Sequence, residues 1–220
     1  MKNKVFVIGA VIAAVVVFSV IVMTTKSPEA PSPTVESAAQ FTQSEDAALF
    51  VRPHSPSVGN SLARVTVVEW FDPECKSCRM FHPVVKKLIA EYEKRVLFVY
   101  RYMPYHKNSM YAASALEEAR EMGKFEQALD VLFEKQPKWG DHHSPQPEFI
   151  PEFLAILGIP KAKLDPEYVI NKHGAKVKID QSDGERLGVQ GTPSFFVNGR
   201  FLETLGEGPL REMIDGALAK

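Results

Sequence analysis

Val67-Val68-Glu69-Trp70-Phe71-Asp72-Pro73-Glu74-Cys75-Lys76-Ser77-Cys78 begins as a β-branched and aromatic run and ends on two cysteines. The run 64–71 has the composition of a mostly buried strand, and Asp72-Pro73-Glu74 breaks it. Beyond the cysteines, Phe81, Val84, Val85, Leu88 and Tyr92 recur at helical spacing, which predicts a helix over 80–94 that Pro83 kinks or restarts. A second strand is expected at 96–102. Together these form a β-α-β unit with the cysteines at the junction of strand and helix.

Cys75 and Cys78 are the only cysteines among 220 residues. A structural disulfide across so small a loop would restrict the unfolded chain little. A four-cysteine zinc site is excluded by count. A thiol at the start of a helix meets unpaired N–H groups and the positive end of the dipole, which favour its thiolate. Cys75 is therefore expected to be the nucleophile. Cys78, one turn further in, is placed to attack a mixed disulfide and resolve it. Two structural alternatives stand beside this, a buried pair of free thiols and part of a metal site. His82, four residues after Cys78 on the same helical face, admits Cu(I) binding with the two thiolates. His142-His143 reads as a solvated loop pair, Trp70 is expected to pack near the site, and Trp139 has no assigned place.

Working outward, Leu49-Phe50-Val51 suggests a short strand, followed by turn chemistry at Pro53, Pro56 and Gly59-Asn60. Residues 108–183 read as largely helical. Helix formers over 111–119 end at Gly123, a second amphipathic helix covers 125–135, and 137–147 is a loop. Shorter helices follow at 148–157, 166–174 and 175–186. Ser194-Phe195-Phe196-Val197 and Phe201-Leu202 flank Asn198-Gly199, a strong hairpin signal. A last helix spans 209–219.

Before the folded part, residues 5–23 form a run without a charged side chain, close to the roughly 20 needed to cross a bilayer. Lys2 and Lys4 precede it, so the positive-inside rule keeps residues 1–4 in the cytoplasm and exports the rest. A cleaved signal peptide is the rival reading, but the run is long for one and ends on a poor cleavage site. Residues 24–45, rich in Pro, Ser, Ala and Glu, read as a semi-extended linker, and 46–220 as one folded domain. The formal net charge of −1 gives nucleic-acid binding no electrostatic support.

At three places the chain resembles the thioredoxin superfamily, and within it the DsbA-like branch of exported thiol:disulfide oxidoreductases. The first is the strand that runs into Cys75-Lys76-Ser77-Cys78. The second is Gly191-Thr192-Pro193-Ser194-Phe195-Phe196-Val197-Asn198-Gly199, and the third is the helical block opened by Tyr100-Arg101-Tyr102-Met103-Pro104-Tyr105-His106-Lys107-Asn108-Ser109. The resemblance, over roughly 49–220, implies an α/β thioredoxin-like fold with a helical subdomain inserted at about 107–186, which here follows the N-terminal transmembrane helix expected at 5–23. It makes Glu69 the buried acid that trades protons with the inner thiol, the alternative being an ordinary outward strand charge. It makes Pro193 a cis proline packed against the cysteines, and Thr192 a backbone partner for an extended substrate, with Lys76 and Ser77 also on the substrate side. It makes Cys75-Cys78 a redox-active disulfide that needs no cofactor.

The chain departs from the branch in carrying Lys-Ser between its cysteines, without the His of the strongest oxidants. Lys76 is expected to favour the Cys75 thiolate and Glu74 to oppose it. The implied activity is disulfide exchange on exported cysteine-containing proteins, with oxidase, isomerase and reductase directions all open. The implied setting is the outer face of the bacterial cytoplasmic membrane, toward the periplasm, with a membrane redox partner that resets the site. A copper-handling protein using the same thiolates is the alternative from another class, and a redox-inactive tethered interaction domain a third.

Overall fold

A computed structural model of the chain describes residues 47–141 and 143–220. The membrane segment expected at 5–23, the whole linker expected at 24–45 and His142 lie outside them. Among the described residues no helix is long and apolar enough to cross a membrane.

The strand expected at Leu49-Phe50-Val51 is instead a single helical turn, α1 (Ala47–Phe50). Its carbonyls and rings find partners other than a strand: Leu49 O accepts from Arg101 Nη1, and the Phe50 ring stands edge-on to Trp70 and Phe196. A strand the sequence reading missed, β1 (Ser57–Gly59), follows and pairs antiparallel with the third strand. Three residues that end on Gly59 and follow Pro56 leave little periodicity to detect.

The central unit is β2 (Val65–Phe71), α2 (Lys76–Tyr92) and β3 (Val96–Tyr102), with the strands parallel. Helix α2 starts four residues before its expected point, with Cys75 as its N-cap, and continues through Pro83. The helical block then runs α3 (Ser109–Glu121), α4 (Phe125–Trp139), a 3₁₀ turn, α5 (Ile150–Ala155), a second 3₁₀ turn and α6 (Pro166–Arg186). Two corrections arise here. Helix α4 extends through Pro137 because fully buried Trp139 anchors its end, donating from its indole to Leu132 O at 2.8 Å. The two helices expected at 166–174 and 175–186 are one, since Gly174 does not end the helix but sits buried beside Met110 of α3, where a Cβ would already touch Met110 Sδ at 3.8 Å.

The chain returns through β4 (Ser194–Val197) and β5 (Arg200–Phe201) and closes with α7 (Glu207–Leu218). Asn198 and Gly199, at φ of 47° and 78°, make the tight turn that their positive φ values suit. The sheet order is β1-β3-β2-β4-β5. Antiparallel pairing of β4 with β2, Glu69 opposite Phe195 and Trp70 opposite Ser194, sets the segment before β4 beside the end of β2, where the cysteine loop begins.

Strand alternation sorts β2 between two cores. Val65, Val67 and Phe71 join the large cluster that holds both cysteines, α2 and the inserted helices. Val68 and Trp70 join a smaller one with Phe50, Val99, Met103 and Phe196. Trp70 therefore lies on the face away from the cysteines, contrary to expectation. It is covered there by α6, where Gly184 is obligatory: a Cβ would stand 2.6 Å from Trp70 Nε1.

Candidate active site

Cys75 sits at the mouth of α2 with extended backbone angles of φ −72° and ψ 124°, and both cysteines are free thiols. Cys78 is fully buried, Cys75 is 9% exposed, and Lys76 and Ser77 between them are exposed. The Cys78 thiol, hydrogen-bonded to the Cys75 sulfur, is the main reason the Cys75 thiol is lowered to about 5. Burial works against that lowering, while the Thr192 hydroxyl and the N–H groups of Cys78 and Ser77 add to it. The Thr192 carbonyl, which accepts from Cys75 Sγ at 3.4 Å, can only favour the protonated form. The donors prevail because they are several and sit at the helix start.

Cys78 behaves in the opposite sense. Burial first, then its bond to Cys75 and the charges of Cys75 and Glu69, push its thiol well above the ordinary value, partly offset by the Asp72 N–H at 3.5 Å. Glu69 is 5% exposed and alternates onto the cysteine face of β2, so the outward alternative does not hold. Burial, and then the negative charge of Cys75, raise its carboxyl to about 8. The peptide between Thr192 and Pro193 is cis. Cys75, Cys78, Glu69 and Thr192 thus meet at one place, from β2, α2 and the segment before β4.

A set of polar residues that the sequence reading did not single out holds the loop in place. Asp72, fully buried, accepts from Glu74 N at 2.8 Å, Tyr105 N at 2.8 Å, His106 N at 3.2 Å, His106 Nδ1 at 2.7 Å and Ser109 Oγ at 2.5 Å. Burial alone would lower the His106 imidazole, but its bond to Asp72, with the charges of Asp72, Cys75 and Glu74, raises it. Glu74, adjacent to Cys75 in the chain, is fixed by α3's N-terminal side. It is 3% exposed and turned to α3, accepting from Asn108 N at 2.7 Å and Asn108 Nδ2 at 2.8 Å. Asp72-Pro73-Glu74 was legible only as a strand break, since nothing local identifies partners 33 and 34 residues away.

The copper reading loses its third ligand. His82 Nε2 lies 2.7 Å from Asp130 Oδ1 and its ring packs on Phe133, so it belongs to the α2–α4 contact. Among the described residues, Glu118, Glu121 and His173 are grouped closely enough to hold a metal, between α3 and α6. Lys172 already bridges the first two at 2.6 and 2.8 Å. His143 lies exposed in its loop.

Comparison with known proteins agrees with this geometry. The chain is 32% identical over 142 residues to a Na(+)/H(+) antiporter NhaA 3 from Salinispora tropica, a match covering 63% of this chain and 21% of that one. It thus spans about a fifth of the length of the antiporter relatives it matches. It is 29% identical to disulfide bond formation protein D from Bacillus subtilis over 164 residues, covering 69% of this chain and 71% of the relative. The crystal structure of oxidised BdbD from Bacillus subtilis superposes with a TM-score of 0.68 at 26% identity, covering 76% of this chain and 94% of that one. A family model described as thioredoxin matches residues 52–216, from α1's end almost to the C-terminus, and with its helical block set between β3 and β4 this chain belongs to the thioredoxin family in its DsbA-like form.

Proposed function

We propose that the chain catalyses thiol:disulfide exchange through Cys75 and Cys78 and works chiefly as a donor of disulfides to cysteine-containing proteins outside the cytoplasm. One observation carries the reading. Three titrating groups in one buried pocket are driven apart, Cys75 to about 5, Cys78 well above its ordinary value and Glu69 to about 8. Environments that separate neighbouring groups in this way assign acid and base roles.

In the donor direction, a substrate thiolate attacks Cys75 of the Cys75-Cys78 disulfide. The S–S bond breaks, a mixed disulfide forms between substrate and Cys75, and Cys78 leaves with the electron pair and takes a proton. A second substrate thiolate then attacks the substrate sulfur and expels Cys75 as thiolate. The substrate gives up two electrons and two protons: the pair gains both electrons, Cys78 takes one proton, and the other goes to solvent because Cys75 stays a thiolate. A thiolate near pH 5 is a good leaving group and stabilises the reduced protein, which makes the disulfide oxidising.

Glu69 supplies and removes the Cys78 proton. The negative charge of Cys75 is one cause of its raised carboxyl, and that charge is absent in the mixed disulfide. Glu69 is then more acidic and better able to give its proton to Cys78 as Cys78 leaves. Thr192, Pro193, Lys76 and Ser77 form the substrate side, with Thr192 offering its backbone to an extended chain. Residues 5–23 anchor the protein and 24–45 give the domain at 46–220 reach, while a membrane redox partner reoxidises the site. The antiporter relatives, named for a membrane transport activity, support a setting at the membrane.

An equilibrium with glutathione tests the direction. The expected potential is well above the roughly −270 mV of thioredoxin, whereas a value near that figure overturns the donor role. Replacing Cys78→Ser should leave substrates disulfide-linked to Cys75. Failure to capture any exported protein would count against exchange itself.

A further inference from the structure

Gln136 lies on α4, within the helical insertion, and is 4% exposed. Its carboxamide is fully used at the active-site loop. Nε2 donates to Pro73 O at 2.8 Å and to Cys75 O at 3.0 Å, and Oε1 accepts from Arg79 Nε at 2.9 Å. These carbonyls flank Glu74, whose own carboxylate is held by Asn108 of the same insertion. Gly140, just past the end of α4, leaves room for both side chains, since a Cβ there would come within 3.3 Å of Gln136 Cγ and 3.2 Å of Glu74 Cγ.

We infer that Gln136 is a positioning residue for the exchange reaction: reaching from the insertion, it holds the carbonyls on both sides of Glu74 and thereby tunes the Cys75 sulfur. The inference rests on the exchange reading above. The Cys75 carbonyl is covalently close to its own sulfur, and its partial negative charge opposes the thiolate. A donated N–H offsets that charge, and two donors from one rigid helix do so without reorganisation. The Arg79 guanidinium is held in the same grip, one residue after Cys78. On this account the insertion helps set the reactivity of the thiol, besides adding surface to the domain.

The test uses the full chain with Gln136→Leu and Gln136→Glu. Three quantities are read: the Cys75 titration by ultraviolet thiolate absorbance, the equilibrium with glutathione, and unfolding in urea. Gln136→Leu removes the donors and is expected to raise the Cys75 thiol by about one unit. At neutral pH that moves the glutathione equilibrium toward the protein disulfide by up to about tenfold, making it less oxidising. Gln136→Glu keeps the shape and the Arg79 contact but has nothing to donate and adds negative charge, so it should shift both quantities the same way and further. Should the Leu variant fail to fold, the Glu variant decides alone. Variants that lose unfolding stability yet titrate and equilibrate like the unaltered protein overturn the inference and leave a structural role. An unaltered protein with no lowered thiol and no redox-active disulfide overturns the exchange reading itself, whatever the variants do.

Discussion

Two neighbouring residues of β2 face two differently built interiors. Among the described residues no cation pairs with Glu69 on the cysteine face, and burial lifts its carboxyl to about 8. Trp70 enters the other face, where Arg101, paired across the strands with Trp70 and fully buried, lies 5.2 Å over its ring. There Arg101 Nε donates to Asp180 at 2.8 Å and Nη2 to Asp183 at 2.6 Å, while Arg52 grips Asp183 at 2.7 and 2.8 Å. Burial would push Asp183 up, but the two guanidinium groups hold it below the ordinary value. Burial therefore does not decide what a carboxyl can do. A buried acid with its cation is committed to holding elements together, and a buried acid without one remains available to move a proton.

The comparison breaks most visibly if the cation is removed. Arg101→Met leaves Asp180 and Asp183 buried with Arg52 and His54 as their remaining side-chain partners, and should cost about 3 to 5 kcal/mol in urea unfolding. The Cys75 titration should not move. A shift there would mean that the two faces are coupled.

Glu69→Gln should do the reverse, sparing the fold and impairing the chemistry. A carboxyl raised in the folded state from 4.5 to about 8 contributes most to stability below pH 4.5, and that contribution is lost as pH rises through about 8. The reduced wild-type protein should lose on the order of 3 kcal/mol relative to reduced Glu69→Gln between pH 5 and pH 9. Exchange rates of the variant should fall about a hundredfold, read by single-turnover reaction with a dithiol. Equal pH profiles for the two proteins would remove Glu69 from the proton path.

Gly184→Ala probes the paired face by shape alone. A Cβ at 2.6 Å from Trp70 Nε1 must push α6 or the ring aside, at about 1 to 3 kcal/mol, again by urea unfolding with unchanged thiol titration. The smallest effect is expected at the exposed Lys76. Lys76→Met should move the Cys75 thiol by less than about half a unit in moderate salt, because a solvated charge is screened while the buried Cys78 donor and the backbone N–H groups are not. A full-unit change would make the motif's lysine a main determinant.

The contrast also explains what could be read from the chain. β2, β3, the Asn198-Gly199 turn and the helical character of the middle were legible because alternation, helical spacing and turn chemistry are local. Cys75 at a helix start followed from the break at Asp72-Pro73-Glu74. Glu69 and the Thr192-Pro193 segment were found by resemblance, since periodicity alone does not choose which face of β2 holds the cysteines. For that reason Trp70, expected near the site, packs instead in the smaller cluster on the other face. Leu49-Phe50-Val51 misled because its apolar residues pack as rings and as a carbonyl acceptor for Arg101, outside any sheet. The clamp formed by Asp72, Glu74, Asn108 and Gln136 was invisible because its contacts span 33 to 63 residues and every one of the four is an ordinary polar residue in its own segment.

The central claim, that Cys75 is held as a thiolate while its buried neighbours keep their protons, is tested most directly by titrating the reduced protein through its ultraviolet thiolate absorbance. One thiolate should appear with a midpoint of about 5, and Cys75→Ser should abolish it. A first thiolate appearing only near the ordinary value of about 8.5, or one that survives Cys75→Ser, would contradict the account.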